Sequence, residues 1–553
     1  MLVKNVDFKP KIYQYLPRLI SFFGKKKPST GGSSFTELQT CTKKNVPCLK
    51  LKESWSIEGC ESPKVVIIGG GLAGLSAAVR LLNAGVVDLK LLEATGRLGG
   101  RIMSAWMADS MIEFGPTVLS GASVANPVFN LATMAGAISY PVKRLKKKER
   151  VFLTSDGKLI TDYGIESLIF QQLMADAMTR QEIKPRSCNF TAEKNLIQRL
   201  GLRVQQELLY LPPERRANSE KIFWGMINSL RASTGAEPSS VSAEALADRH
   251  ITPGGSMVLE GGMHRILGPL LQSIPEDVVC LDSPVYKVFC QPDSVEKPIK
   301  VVLCDCREYE ADYLVVTLPL GVLRAKGTQI FQGGFTEEQT KAILNIGLGM
   351  KNHVYLEYAQ PWWIPGMPEM VLVWAMDELH TSTEWTKGIA SIHEVPNSRH
   401  LLAVEVAGPE AELIEKVTDE EVAVQLTRFL RKFTGDLSIP YPTNIVTTKW
   451  NTDPYYLGST VYYGLDTTPG MFKDLGGGPT ENYEGPPVGP IIFAGDATIP
   501  EYYGTIEGAR KSGIRAAHKI IASTKSVHQE KLRECSLMEA DDEQKSTETL
   551  ASS

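Results

Sequence analysis

Three glycines spaced G-x-G-x-x-G, Gly69, Gly71 and Gly74, and an acid about 20 residues past them, Glu93, could together hold a dinucleotide. The first glycine allows a tight turn, the second lets a pyrophosphate approach the backbone, and the third lets a helix lie close to a strand. The acid would accept a hydrogen bond from a ribose hydroxyl. Arg97 and Arg101 follow at once, in the run Gly96-Arg97-Leu98-Gly99-Gly100-Arg101. Two arginines among glycines suit a second set of phosphate contacts, through guanidinium forks and exposed amides. A solvated loop is the plainer alternative. Glycines often mark turns alone, so the motif is only as specific as the elements around it.

Those elements stand where the motif needs them. Val65-Val66-Ile67-Ile68 reads as a short strand buried on both faces. Leu72 to Leu82 reads as a helix with Leu75, Val79 and Leu82 on its apolar side, and Leu89 to Leu92 as a second strand ending on Glu93. The helix N-terminus offers free N–H groups and a positive dipole end to phosphates. A similar arrangement closes the chain. Ile491-Ile492-Phe493-Ala494 is a buried strand ending on Gly495-Asp496; Gly504-Thr505-Ile506 follows, then a helix through Ser512 to Ala517.

The chain has 553 residues, room for roughly two to four domains and a large core. Its 43% hydrophobic and 22% charged residues are ordinary for a soluble globular protein. A net charge of −4 provides no global field for nucleic acid. The nine cysteines are scattered and without CxxC pairs, which predicts no disulfide framework and no zinc site, but core thiols in a reducing compartment. The eight histidines show no HExxH spacing, so no metal is expected. No run reaches about 18 apolar residues, so no membrane span is expected. Residues 1–61 are a basic extension that lacks the apolar core and cleavage site of a signal peptide. It reads as a disordered arm; a transit peptide and a membrane-surface contact are the alternatives.

Taken together, the glycine turn, Glu93 and the GGR run resemble the two-dinucleotide-binding signature of the flavin-containing amine oxidases. The resemblance implies FAD rather than NAD, because that family carries the GGR element after the ribose acid. It implies that Phe114, Gly115, Pro116 and Thr117 bring backbone to the isoalloxazine. Val285 matches the position whose main chain holds the adenine, although an ordinary core valine would look the same. Pro361-Trp362-Trp363 and Trp450 to Tyr455 match aromatic landmarks of the family. Asp496 stands where the family commonly has Glu and would face the ribityl–phosphate region. Thr505 and Ile506 match residues whose amides bind the flavin. The resemblance runs from about Lys64 to Ile521.

The activity implied is oxidation of an amine by hydride transfer to flavin, with O₂ reoxidising it and H₂O₂ leaving. The polyamine and spermine oxidase branch is the nearest in pattern. That family's flavin-facing lysine falls in G-x-G-x-x-x-Lys; here the run is Gly347-Leu348-Gly349-Met350-Lys351-Asn352-His353. His353 stands at the lysine's position, and Lys351, two residues earlier, shares its face on a strand. Three readings stay open: His353 does the lysine's work, Lys351 replaces it, or turnover is impaired. Ser120 stands where polyamine and spermine oxidases carry a histidine. Thr505 stands where monoamine oxidases have one tyrosine of an aromatic cage; Tyr502, Tyr503, Tyr462 and Trp450 could line the cavity instead. A scaffold flavoprotein and an L-amino acid oxidase are the rival functions, and the latter would need a cationic clamp for a carboxylate.

The fold expected is α/β, with a Rossmann-like FAD-binding domain of the amine-oxidase and p-hydroxybenzoate-hydroxylase type. Residues 62–145, 250–325 and 484–523 would build it. Residues 146–249 and 326–483 would form a substrate domain of mixed sheet and helices, with a helical insertion from 151 to 249. Strands are predicted over 282–288, 313–317, 353–358, 370–376, 401–406 and 445–449, and a helix over 419–433. Residues 524–553 would be a polar, acidic tail. Partners would be a small amine and O₂, the location cytoplasmic, with mitochondria as the alternative.

Overall fold

Val65–Ile68 is buried along its whole length, as a run of branched apolar side chains without polar alternation requires. In the computed structural model this strand is the centre of a five-stranded sheet. The order is Ile491–Phe493, Tyr313–Val316, Val65–Ile68, Leu89–Leu92, Val279–Cys280, and every neighbouring pair is parallel. The structure describes residues 56–145, 149–178, 194–244, 250, 252–290, 299–374, 378, 384–476 and 490–551. Register sets Ile68 level with Leu92 and Val316, and Val316 level with Phe493. Gly69, Glu93, Thr317 and Ala494 therefore leave the sheet at one edge. That edge is the carboxyl end of the strands, where open parallel sheets bind ligands.

Two helices cover this sheet at the same place. Leu72–Asn83 follows the glycine turn, and Ile506–Ala551 ends the described chain. They cross at a distance that only small residues allow: a Cβ on Gly513 would lie 2.0 Å from the carbonyl oxygen of Ala73. Gly74 plays the same part between helix and strand, since its Cβ would lie 2.0 Å from the oxygen of Gly69.

A second sheet has seven strands, in the order Asn444–Thr447, Lys351–Glu357, Leu401–Ala407, Ile389–Glu394, Glu369–Val373, Arg150–Thr154, Leu159–Ile160. Its pairs are antiparallel except that of Glu369–Val373 with Arg150–Thr154. The helix Asp419–Thr434 seals one face with Leu426, Leu430 and Phe433, and is held at its start by a capping box of Thr418 and Glu421. A four-stranded sheet, Glu308–Ala311, Ile299–Leu303, Val285–Cys290, Phe331–Gln332, completes the strand layers.

Several sequence expectations change. The insertion expected to be helical from 151 begins with two strands of the seven-stranded sheet, and helices start only at Gly164–Met178. Pro212-Pro213 does break that region, between the helices Leu196–Tyr210 and Pro213–Ser229, and Pro213 opens the second one, where a missing N–H costs nothing. The strand expected from 282 starts at Val285, because Asp282 turns with φ +48°. Ile389–Glu394 was not expected at all. The strand expected to reach 376 ends at Val373, and residues 375–377 lie outside the described ones. The helix expected from Ser512 starts at Ile506 and continues through Ala551, so helical backbone extends over the polar tail. Several cysteines were expected as core thiols; Cys304 and Cys306 are exposed on a turn, and Cys60, Cys280 and Cys290 are half-buried. Of the basic extension, residues 1–55 lie outside the described ones; Ile57 is buried and its N–H donates to the Ala84 carbonyl.

Candidate active site

The carboxyl edge of the parallel sheet opens into a cavity of about 790 Å³. Residues from both ends of the chain line it: Gly69, Gly71 and Glu93 from the first turn, Asp496, Thr505 and Ile506 from the last. Gly71 leaves the backbone bare, since a Cβ there would meet nothing nearer than the Gly100 Cα at 4.0 Å. The helix behind it starts without any side-chain cap, so its first N–H groups face the cavity side free. At the other turn Thr505 is the cap: its hydroxyl accepts from the Gly508 N–H at 3.0 Å and donates to the Tyr502 carbonyl.

Glu93 is 8% exposed and already holds the turn together. Its Oε2 accepts from the Gly70 N–H at 2.7 Å, and its Oε1 from the N–H and hydroxyl of Thr95. It still borders the cavity. The following loop is zipped to the first turn, with the Gly99 N–H donating to the Gly70 carbonyl. Arg97, expected as a phosphate contact, does not border the cavity. Its Nη2 donates to the Gly100 carbonyl and to the Tyr456 hydroxyl, which fixes the loop. Arg101 does border it, bound to the Ser459 carbonyl and paired with Asp496.

Phe114, Gly115, Pro116 and Thr117 form one wall. Gly115 is required there, because its Cβ would lie 1.9 Å from the Arg101 carbonyl oxygen. The Phe114 carbonyl accepts from the Trp450 indole at 2.8 Å. Just behind, the Glu113 carboxylate accepts from the Ser104 hydroxyl and the Met263 N–H. Burial pushes its carboxyl up to about 7 against those two hydrogen bonds. Val285 borders the cavity beside Pro284 and Ser283.

Lys351 and His353 sit on one strand, face the same way and both border the cavity. Opposite them, in register with His353, is Glu405 of Leu401–Ala407. Lys351 Nζ donates to Glu405 Oε1 at 3.0 Å and to the Ala232 carbonyl at 2.9 Å. The same carboxylate oxygen lies 3.5 Å from His353 Nε2. His353 is 4% exposed, and neither ring nitrogen makes a well-formed hydrogen bond. Burial pushes the imidazole down and favours its neutral form, with Glu405 opposing and Lys351 adding to the effect. Burial also pushes the Glu405 carboxyl up, but the Lys351 ammonium and the nearby histidines hold it well below the usual range. Glu405, Ser459 and Tyr456 were not anticipated from sequence.

Ser120 borders the cavity at its exposed side, its hydroxyl 3.4 Å from that of Ser256. Of the four aromatic residues offered as alternatives to a cage, Tyr502 and Trp450 border the cavity, as do Phe114, Tyr455 and Tyr456. Tyr503 is packed against Tyr463 and Phe472, and the Tyr462 ring lies against Gly347, away from it.

These residues fit FAD. One cavity is lined by a bare glycine backbone, an uncapped helix start, a second turn and a buried imidazole with unmade hydrogen bonds. A long ligand with phosphates near its middle and a polar ring at one end would use all four.

Residues 72–521 match the family model described as flavin containing amine oxidoreductase. The chain is 29% identical to Protein anon-37Cs of Drosophila melanogaster over 486 residues, 85% of this chain and 92% of that one. It is 28% identical to the human peroxisomal N(1)-acetyl-spermine/spermidine oxidase over 496 residues, 83% and 95% of the two chains. Polyamine oxidase 4 of Oryza sativa subsp. japonica is 25% identical over 474 residues, 83% and 88% of the two.

Proposed function

The chain belongs to the flavin containing amine oxidoreductases, with FAD as its cofactor, and from that premise we propose that it oxidises a polyamine such as spermine or an acetylated derivative. The observation that carries this reading is one cavity bordered by both glycine turns and by His353. The printed names of two relatives, an N(1)-acetyl-spermine/spermidine oxidase and a polyamine oxidase, support the substrate class. When bound, FAD would supply the hydride acceptor for the carbon beside an amine, with O₂ as the final electron acceptor and H₂O₂ as its product.

The chain supplies binding, burial and charge. Gly69, Gly71 and the helix start behind them take the phosphates; Glu93 takes a ribose hydroxyl; Val285 takes the adenine through its main chain. Arg101 and Asp496 hold the middle, and Phe114 to Thr117 with Thr505 and Ile506 hold the ring. Arg97 acts through the loop it fixes. Met174, Leu196 and Leu230 add apolar lining to the cavity, which favours the neutral amine that can give up a hydride. His353 faces the reacting end and, while neutral, offers a water a nitrogen lone pair. Ser120, at the open side, bears on the choice of substrate. The parallel-sheet body acts as a Rossmann-like FAD domain over residues 62–145, 250–325 and 484–523, and the seven-stranded sheet with its helices as the substrate domain. No helix among the described residues is long and apolar enough to cross a membrane; we place the protein in the cytoplasm, with mitochondria as the alternative.

The experiment is to add spermine, N-acetylated polyamines, monoamines and L-amino acids to purified yellow protein, and to follow flavin bleaching and peroxide. Bleaching by polyamines with stoichiometric peroxide is expected. Bleaching by none would point to an impaired flavoprotein with a binding role, in line with the missing lysine.

A further inference from the structure

The strand pair that carries His353 holds one more ionisable group than amine oxidation needs. Glu405 interrupts the strand Leu401–Ala407, whose other residues are apolar, and is 8% exposed. A carboxylate buried at that depth is costly unless it is paired and hydrogen-bonded. Its partners are the Lys351 ammonium at 3.0 Å, the Ser391 hydroxyl at 3.2 Å and the Nε2 of His353 at 3.5 Å. Lys351 and Glu405 offset each other; His393 also acts on Glu405, and Glu113 lies beyond Tyr355, whose hydroxyl donates to its carbonyl, but neither borders the cavity as the His353 imidazole does.

The imidazole is surrounded by acceptors. Glu405 faces Nε2, and the Phe114 carbonyl faces the ring from the cavity wall. From its own strand come Lys351 and the Tyr355 ring, 5.9 Å away between centroids; from behind come Thr448 and Trp450, whose polar groups are engaged with the backbone and with Asn352 and Phe114. A neutral imidazole has one N–H for these two acceptors; an imidazolium has two. Protonation thus completes hydrogen bonds that the neutral ring leaves unmade. What opposes it is burial and the Lys351 charge, and negative charge entering the cavity would offset both.

We propose that Glu405 is a positioning residue which, with Lys351, makes His353 the place where the cavity stores a proton whenever negative charge enters it. The event is a proton transfer alone: an N–H bond forms on the imidazole, an O–H bond breaks in water, and no electron moves on the chain. Lys351 is then the counter-ion of Glu405 and not a substitute for the family's lysine. The inference rests on reading His353 as the group that faces bound FAD, but not on any amine being a substrate.

The test uses the full FAD-loaded chain, reduced by dithionite without amine or air in weak buffer near pH 7. The parent is expected to take up about one proton more than Glu405→Gln or His353→Gln, with Glu405→Asp restoring the difference. Ring ¹⁵N resonances of His353 are expected to move from the neutral to the protonated range on reduction. Lys351→Met supplies an independent arm: with Glu405 unbalanced, His353 should be protonated before reduction, and the extra uptake should vanish. Equal uptake in all variants, or a His353 ring that stays neutral in the reduced parent, overturns the proposal. Failure of every amine to bleach the flavin would leave this result standing, so the two readings fail separately.

Discussion

Arg101 and Asp496 lie 395 residues apart in sequence and meet as an ion pair, Nη2 to Oδ1 at 2.5 Å, on the wall of one cavity. The first belongs to the loop after the opening glycine turn and the second to the turn that ends the sheet. Their side chains are 25% and 11% exposed, so the pair keeps some water and adds little to stability alone. Its consequence is geometric: it ties together two sides of one cavity. Asp496→Ala leaves the guanidinium with the Ser459 carbonyl and removes two acceptors from the cavity. FAD affinity should fall about ten- to a hundred-fold, or ~1.4–2.8 kcal/mol, as read by flavin fluorescence titration. An unchanged dissociation constant would separate the pair from cofactor binding.

The crossing of the first and last helices makes a second, sharper claim. At Gly513 an added methyl would lie 2.0 Å from the Ala73 carbonyl oxygen, which is backbone and cannot swing aside. Gly513→Ala should push the helices apart, costing on the order of 1–3 kcal/mol or more and loosening FAD with it. Gly470→Ala is the control, because its methyl would meet side-chain atoms only, at 3.7 and 4.0 Å. Thermal unfolding of the two variants, with and without FAD, checks this. Equal melting temperatures would refute the close crossing.

Much of this was legible in the chain because it rests on local rules. A strand, a glycine turn and a helix announce themselves through apolar runs and bare positions, and 65–93 folds as its sequence reads. The seven-stranded sheet was less legible. Arg150–Thr154 joins it in parallel with Glu369–Val373, a pairing across more than two hundred positions that no local pattern encodes. By contrast, the break at Pro212-Pro213 is a local signal, and it separates the helices Leu196–Tyr210 and Pro213–Ser229. Arg97 shows the limit at the site: its type and place suit a phosphate, but its guanidinium is bound to the Gly100 carbonyl and the Tyr456 hydroxyl. Glu405 did leave a signal, an acid inside the apolar run LLAVEVA, which is the mark of a buried charge with a partner. Its partner could be found only through strand register.

Glu113 predicts a pH effect on stability that does not involve catalysis. Burial raises its carboxyl from 4.5 to about 7 in the folded protein. Between those values the folded state holds a proton that the unfolded state has lost, so stability falls as pH rises from about 4.5 to 7. Above that range the full cost, at most ~3 kcal/mol, is present; below it there is none. Glu113→Gln removes the cost, and should raise the melting temperature at pH 8 while leaving it unchanged or lower at pH 4. The same shift at both pH values would show that the carboxyl titrates normally.

His353 carries the prediction on turnover. The ring borders the cavity but makes no well-formed hydrogen bond, and it lies on a different strand from the two glycine turns, so it should contribute little to holding the cofactor. His353→Ala should therefore slow flavin reoxidation by O₂ about a hundred-fold, the loss typical of a positioned proton-handling group, while FAD affinity changes far less. Stopped-flow reoxidation of photoreduced protein and a flavin titration measure the two quantities apart. His353→Lys puts an ammonium on the same strand face, within reach of Glu405, and should recover most of the rate. If His353→Ala reoxidises as fast as the parent, the imidazole has no part in the reaction. Lys351, held by Glu405 and the Ala232 carbonyl, would then have to let go of both to act in its place.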